Sequence, residues 1–186
     1  MKILNTEQYI NEKLDIKPIV NDDRRLYLRI GSFIKDNNLV FNDRTQRYDC
    51  DGDVKVDKCI VEDGKLQIKF GVVNGDFNCS GMGLVSLEGC PQYVGHHCFC
   101  FDNQLTSLKG SPKEVGWNFC CSNNDLQTLE GCPQKVGGDF DCKANDLRNI
   151  NQHPKEVGGD FRCENNPNLV LSKYKPNWIR GYILYY

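Results

Sequence analysis

The sequence predicts an α/β solenoid in which coils of 21 residues each lay down one short parallel strand, about seven in all, behind a helical N-terminal cap. Val73, Val94, Val115, Val136 and Val157 recur at a step of 21, and so do Cys79, Cys100, Cys121, Cys142 and Cys163. A fixed period of this size is the mark of one stacked coil per repeat. Within each coil, Phe and Cys stand two residues apart with polar residues beside them, which is the period of a strand with one face buried. Further columns hold the same register: Leu87, Leu108, Leu129 and Ile150; Pro91, Pro112, Pro133 and Pro154; Gly89, Gly110 and Gly131.

The coil reads V-x-x-x-F-x-C-x-x-N-x-L-x-x-L-x-G-x-P-x-x, and each slot has a physical task. Phe and Cys face the core from the strand. The Asn column (Asn103, Asn124, Asn145, Asn166) is expected to turn its amides onto backbone groups freed at the bend, and to bond along the column. The paired Leu residues refill the core, and Gly and Pro send the chain back.

The columns continue into the less regular ends. "GDVKVD" aligns with "GDFNCS", so Val54 and Val56 are expected to open the stack, followed by a longer coil through Ile60, Ile68 and Phe70. "NNPNL" carries one extra residue, which brings "IRGYILYY" onto "VGGDFRCE" and places Ile183 and Tyr185 in the Phe and Cys slots of a last strand. A solenoid needs its open ends protected. Residues 1–48 are assigned to an N-terminal helical cap and 49–186 to the solenoid with its C-terminal capping strand. In the cap, Thr6 to Leu14 has helical spacing and ends before Pro18; Asp22 or Asp23 would start a second helix with Leu26, Ile30, Phe33 and Ile34 on one face. "LYLRI" within it also reads as a strand.

These residues resemble a leucine-rich repeat, whose hallmark is L-x-x-L-x-L-x-x-N-x-L. The short coil with a Pro-containing return resembles bacterial effector-type leucine-rich repeats, and "GGDFDCKANDL…LEGCPQKV" resembles small repeat proteins of T-even-like bacteriophages. The resemblance covers residues 50–186 and, more weakly, the opening "NTEQYINEKLDIKPI". It implies a phage-encoded binding module with a host or defence protein as its target, acting as an inhibitor by occlusion or as an adaptor.

Composition narrows the partner little. The 23 basic and 25 acidic residues leave a formal charge of −2, with no basic excess to attract nucleic acid or an acidic membrane. No apolar run is long enough to span a bilayer, and the first residues are too polar for a signal peptide, so a cytoplasmic location is expected. The 11 cysteines are odd in number and five of them, Cys79, Cys100, Cys121, Cys142 and Cys163, fall in an inward column, which favours reduced, buried thiols over a disulfide framework. A zinc site at "HHCFC" and "CC" is disfavoured because His97 and Cys98 point to opposite faces of a strand. No metal or cofactor is expected.

The outward strand positions are the candidate binding surface: His97, Asn118, Asp139 and Tyr182 in one column, and Phe99, Cys120, Asp141, Arg162 and Leu184 in the next, with Phe101 beside them. Phe99 and Phe101 place two aromatics outside on one strand, and Tyr182, Leu184 and Tyr186 repeat this at the end, which suggests a protein partner. A homo-oligomer, or the N-terminal segment folding over the rings, would also cover them. Cys120, His97 and Asp141 have the residue types of a nucleophilic site, but an open strand face offers no oxyanion hole, so no enzymatic activity is expected.

Overall fold

The computed structural model describes residues 23–171 and 177–185, and over them the chain is a β-solenoid of about six turns. The expected helix at Thr6 to Leu14 lies outside the described residues, as do Pro176 and Tyr186. The second helix is present as α1, Asp23–Asp36. Ile30 and Phe33 on its apolar face are buried, Leu26 and Ile34 pack beside them, and Phe33 meets Phe70 edge-on with ring centroids 6.4 Å apart. The strand reading of "LYLRI" therefore fails, because helical spacing puts these side chains onto the first coils. Asn38, at φ 50, ends the helix: its N–H donates to Lys35 O (3.1 Å) and the Leu39 N–H to Ile34 O (2.9 Å), a Schellman closure.

Each coil contributes two strands rather than the one expected. The anticipated Phe-slot strands form one all-parallel sheet of seven: Val54–Lys55, Phe77–Asn78, Cys98–Phe99, Phe119–Cys120, Phe140–Asp141, Phe161–Arg162 and Ile183–Leu184. Its register places Phe119 beside Phe140 and Phe161 beside Ile183, as the sequence columns require. The Val column makes a second sheet: Arg47–Cys50, Phe70–Val73, Tyr93–Val94, Glu114–Val115, Lys135–Val136 and Glu156–Val157 run parallel, and Ile179 bridges to Val157 at the far end. Val40–Asn42 pairs antiparallel with Arg47–Cys50 and closes the front edge. The third side holds no strand in the 21-residue coils, and in the longer first coil it carries the short antiparallel pair Val61–Glu62 and Lys65–Leu66.

The core is the inside of this prism. Val94, Val115, Val136 and Val157, Phe77, Phe119, Phe140 and Phe161, and Leu105, Leu126 and Leu147 are fully enclosed. Phe140 and Phe161 stack with centroids 5.2 Å apart. Cys100, Cys121, Cys142 and Cys163 face inward as expected, and all eleven cysteines are free thiols. Burial pushes the Cys121 and Cys142 thiols well above the ordinary value, and Cys163 up to about 12.

Between the two sheets the chain turns a tight corner, and glycine allows it. A Cβ at Gly116 or Gly137 would fall inside the van der Waals envelope of the carbonyl oxygen of the glycine one coil earlier, Gly95 or Gly116. The same close approach lets the Gly137 N–H reach Val115 O at 2.9 Å. At the opposite corner each Asn is a four-way tie. Asn145 Nδ2 donates to the carbonyls of Cys121, Cys142 and Lys143, each at 3.1 Å, and its Oδ1 accepts from the Leu126 N–H at 3.1 Å. Asn124 and Asn166 repeat this. The amides thus bind the backbones of two coils, and the expected bonding from Asn to Asn is replaced by Asn-to-backbone bonding.

Candidate functional site

The outward face of the Phe sheet is less free than its sequence suggests, because its first polar column is built into the stack. Asp53 Oδ1 accepts the Asp76 N–H (2.8 Å), Asp76 Oδ1 the His97 N–H (2.9 Å), Asn118 Oδ1 the Asp139 N–H (2.9 Å), Asp139 Oδ1 the Asp160 N–H (2.8 Å) and Asp160 Oδ1 the Tyr182 N–H (2.9 Å). These side chains hold the corner of the next coil. The residue before each of them tends to be glycine for the same reason: a Cβ at Gly75, Gly138, Gly159 or Gly181 would collide with the carboxylate or amide oxygen of the coil before.

Before the last coil, where Tyr182 ends it, this column breaks at His97. His97 carries no carboxylate or amide to continue the ladder, and the two neighbouring glycine slots hold His96 and Trp117. The result is an aromatic chain across two coils, four rings on one and Trp117 on the next. Trp117, 59% exposed, meets His97 at 5.3 Å and His96 at 5.8 Å; His97 stacks on Phe99 at 5.4 Å, and Phe99 meets Phe101 edge-on at 6.1 Å. Phe99 and Phe101 are half-buried against one another, so they forfeit less burial than two isolated outward rings would. His97 Nδ1 is enclosed and has no hydrogen-bond partner among the described residues.

The remaining expected residues separate into two groups. Arg162 Nη2 donates to Asp139 Oδ2 at 2.8 Å, and Lys143 Nζ lies 3.3 Å from Asp141 Oδ2, so Asp139, Asp141 and Arg162 are paired along the coils. Leu184 stands on the last strand and Tyr182, 72% exposed, just before it, far along the stack from Phe99. Asn118 serves the corner through its Oδ1.

Cys120, His97 and Asp141 do not assemble as a nucleophilic unit. Cys120 Sγ lies 3.3 Å from Ser122 Oγ, His97 packs on rings, and Asp141 is held by Lys143. Burial pushes the Cys120 thiol up, the direction opposite to an activated thiolate. The "HHCFC" ligand types divide as the strand alternation requires: the Cys98 and Cys100 thiols are inside and His97 is on the outer face.

Trp117 was not among the residues that the sequence singles out. Its signal is the replacement of the second glycine in "VGG" by Trp in "VGW", which marks a slot that in the following coils, at Gly138, Gly159 and Gly181, has no room for a side chain. No described helix is long and apolar enough to cross a membrane. No family model, curated protein or solved structure matches the chain, and the repeat of 21 residues together with its β-solenoid is what places it among repeat proteins.

Proposed function

We propose that the chain is a non-enzymatic repeat module that binds a protein through the aromatic chain Trp117–His97–Phe99–Phe101. The observation that carries this reading is the break in the corner column. In the coils on either side those slots hold glycine and carboxylates or an amide locked into the backbone; here they carry large rings, one of them 59% exposed, and a large ring recurs in the column only at Tyr182 of the last coil among the described residues. Exposed Trp with surrounding half-buried aromatics is the composition of a binding hot spot, in which rim rings keep water from the anchor. The flanking strands are rigid, so little ordering entropy opposes binding.

The resemblance to leucine-rich repeats and to phage repeat proteins extends this reading to a host protein as target, with occlusion of that protein as the effect and the host cytoplasm as the location. Trp117→Gly, which restores the glycine of the neighbouring coils, and the Phe99→Ser/Phe101→Ser double variant should each keep the thermal transition of the native chain and lose capture of its partner from host extract. Equal capture by both variants refutes the reading.

A second reading is self-association through the final strand. Ile183–Leu184 is the last strand of the Phe sheet and Tyr182 beside it is exposed. Light scattering distinguishes the two. A dimer that dissociates when Tyr182 and Leu184 are changed to Ser supports self-association, and a monomer at all concentrations supports the first reading.

A further inference from the structure

The same break in the column has a second consequence on its other side. Asp53 and Asp76 occupy equivalent corner slots in successive coils, and His96 stands in the glycine slot of the coil after them. One ligand atom from each of the three lies within 4.8 Å of the other two. We propose that Asp53, Asp76 and His96 bind a first-row divalent transition-metal ion of the zinc class.

The geometry suits such an ion. Zinc–oxygen and zinc–nitrogen bonds of about 2.0–2.2 Å put tetrahedral ligand atoms roughly 3.5 Å apart. Closing from 4.8 Å or less requires only side-chain movement, which the exposure of Asp53 and His96 permits. Both carboxylates are already oriented: Asp53 Oδ1 is tied to the Asp76 N–H and Asp76 Oδ1 to the His97 N–H, so one oxygen of each is anchored while the other remains for the ion. Hydrogen bonds that fix a ligand from behind are what a metal site uses for preorganisation.

Charge and ligand type agree. Two carboxylates and a neutral imidazole match a doubly charged cation, and an imidazole with oxygen ligands and no thiolate selects zinc, cobalt, nickel or manganese over copper(I). The core cysteines take no part, since Cys79, Cys98 and Cys100 are enclosed on the inner side of the strands. Three protein ligands leave further coordination positions toward solvent for water or a partner's side chain. His96 also explains itself in this way: a glycine there would satisfy the stack, as Gly75 does one coil earlier.

The test is a Co²⁺ titration of the full chain after treatment with a chelator, read by absorption and by tryptophan emission. Trp117, 5.8 Å from His96, reports the site, and a Trp117→Phe control assigns the quenching to it. The expected result is one equivalent of Co²⁺ bound without a thiolate charge-transfer band, quenching that vanishes in W117F, and affinity reduced at least about tenfold in H96G and in D76N, the scale seen when even a supporting group is lost. H96G restores the local glycine and so retains the fold, which circular dichroism verifies. Absence of binding, a thiolate band, or unchanged affinity in either variant overturns the proposal.

Discussion

Asn145→Ala removes one tie between coils, and the cost follows from what the side chain holds. Without Oδ1 the Leu126 N–H, inside the stack, has lost its acceptor, at about 1–3 kcal/mol for an unpaired buried donor. The two N–H groups, shared among three carbonyls, go as well. Cys121 O keeps a second donor in Asn124, at 3.1 Å, so these losses together contribute about 1–2 kcal/mol. The sum, about 2–5 kcal/mol, corresponds to a Tm lowered by roughly 4–20 °C in a chain of this size. Urea unfolding followed in parallel by tryptophan emission and far-ultraviolet circular dichroism reads the change and detects any uncoupled fraying of terminal coils. Asn145→Asp keeps the acceptor but turns an oxygen toward three carbonyls, and it should lose at least as much. A loss below about 1 kcal/mol in Asn145→Ala refutes the four-way tie, since one net hydrogen bond accounts for that much.

Other perturbations separate the remaining parts of the account. Gly137→Ala drives a methyl into the backbone carbonyl of Gly116 and should cost about 3 kcal/mol or more, whereas Gly138→Ala meets the movable Asn118 amide and should cost less; equal losses in urea unfolding contradict the corner geometry. Ala144 is exposed at φ 50, so Ala144→Gly relieves a left-handed strain of about 1 kcal/mol and should raise the urea midpoint. The buried thiols make stability depend on pH: Cys132 and Cys163 are raised by burial from 9.0 to about 12, so the folded chain holds these protons while the unfolded chain releases them above 9.0. Their contribution is complete below pH 9.0 and is lost as pH rises toward 12, so a midpoint that stays flat across that window refutes their burial. In native protein at neutral pH, a thiol reagent should leave Cys121 and Cys142 unmodified, which peptide mapping checks.

Most of the fold is legible in the residues because recurrence reports burial. A column of identical side chains exists where each meets its own copy one coil away, which is why Phe119, Phe140 and Phe161, or Cys121, Cys142 and Cys163, could be placed without coordinates. The Val sheet was hidden for a physical reason. Each of its middle strands is two residues long, such as Lys135–Val136, with a single inward side chain, so there is no alternation to read. The polar column misled in a different way: Asp139 and Asp160 have the composition of a wet surface, yet their carboxylates are consumed in turning the next corner. The paired "GD" was the signal, since glycine before Asp leaves room for the carboxylate below. Where that pairing fails, at His96, His97 and Trp117, lie both the aromatic surface and the three-ligand cluster, and only the His97–Phe99–Phe101 part of it was visible as alternation.

Each coil crosses two parallel sheets, with residues 21 apart side by side in the regular coils and steps of 23 and 22 at the first and last pairs of the Phe sheet. Nuclear Overhauser contacts between amide and α protons test it directly. The account predicts contacts linking Val115 with Val136 and Phe119 with Phe140, in both sheets and along the whole series. Contacts of this spacing in the Phe sheet alone, or antiparallel contacts between sequence neighbours, would contradict it.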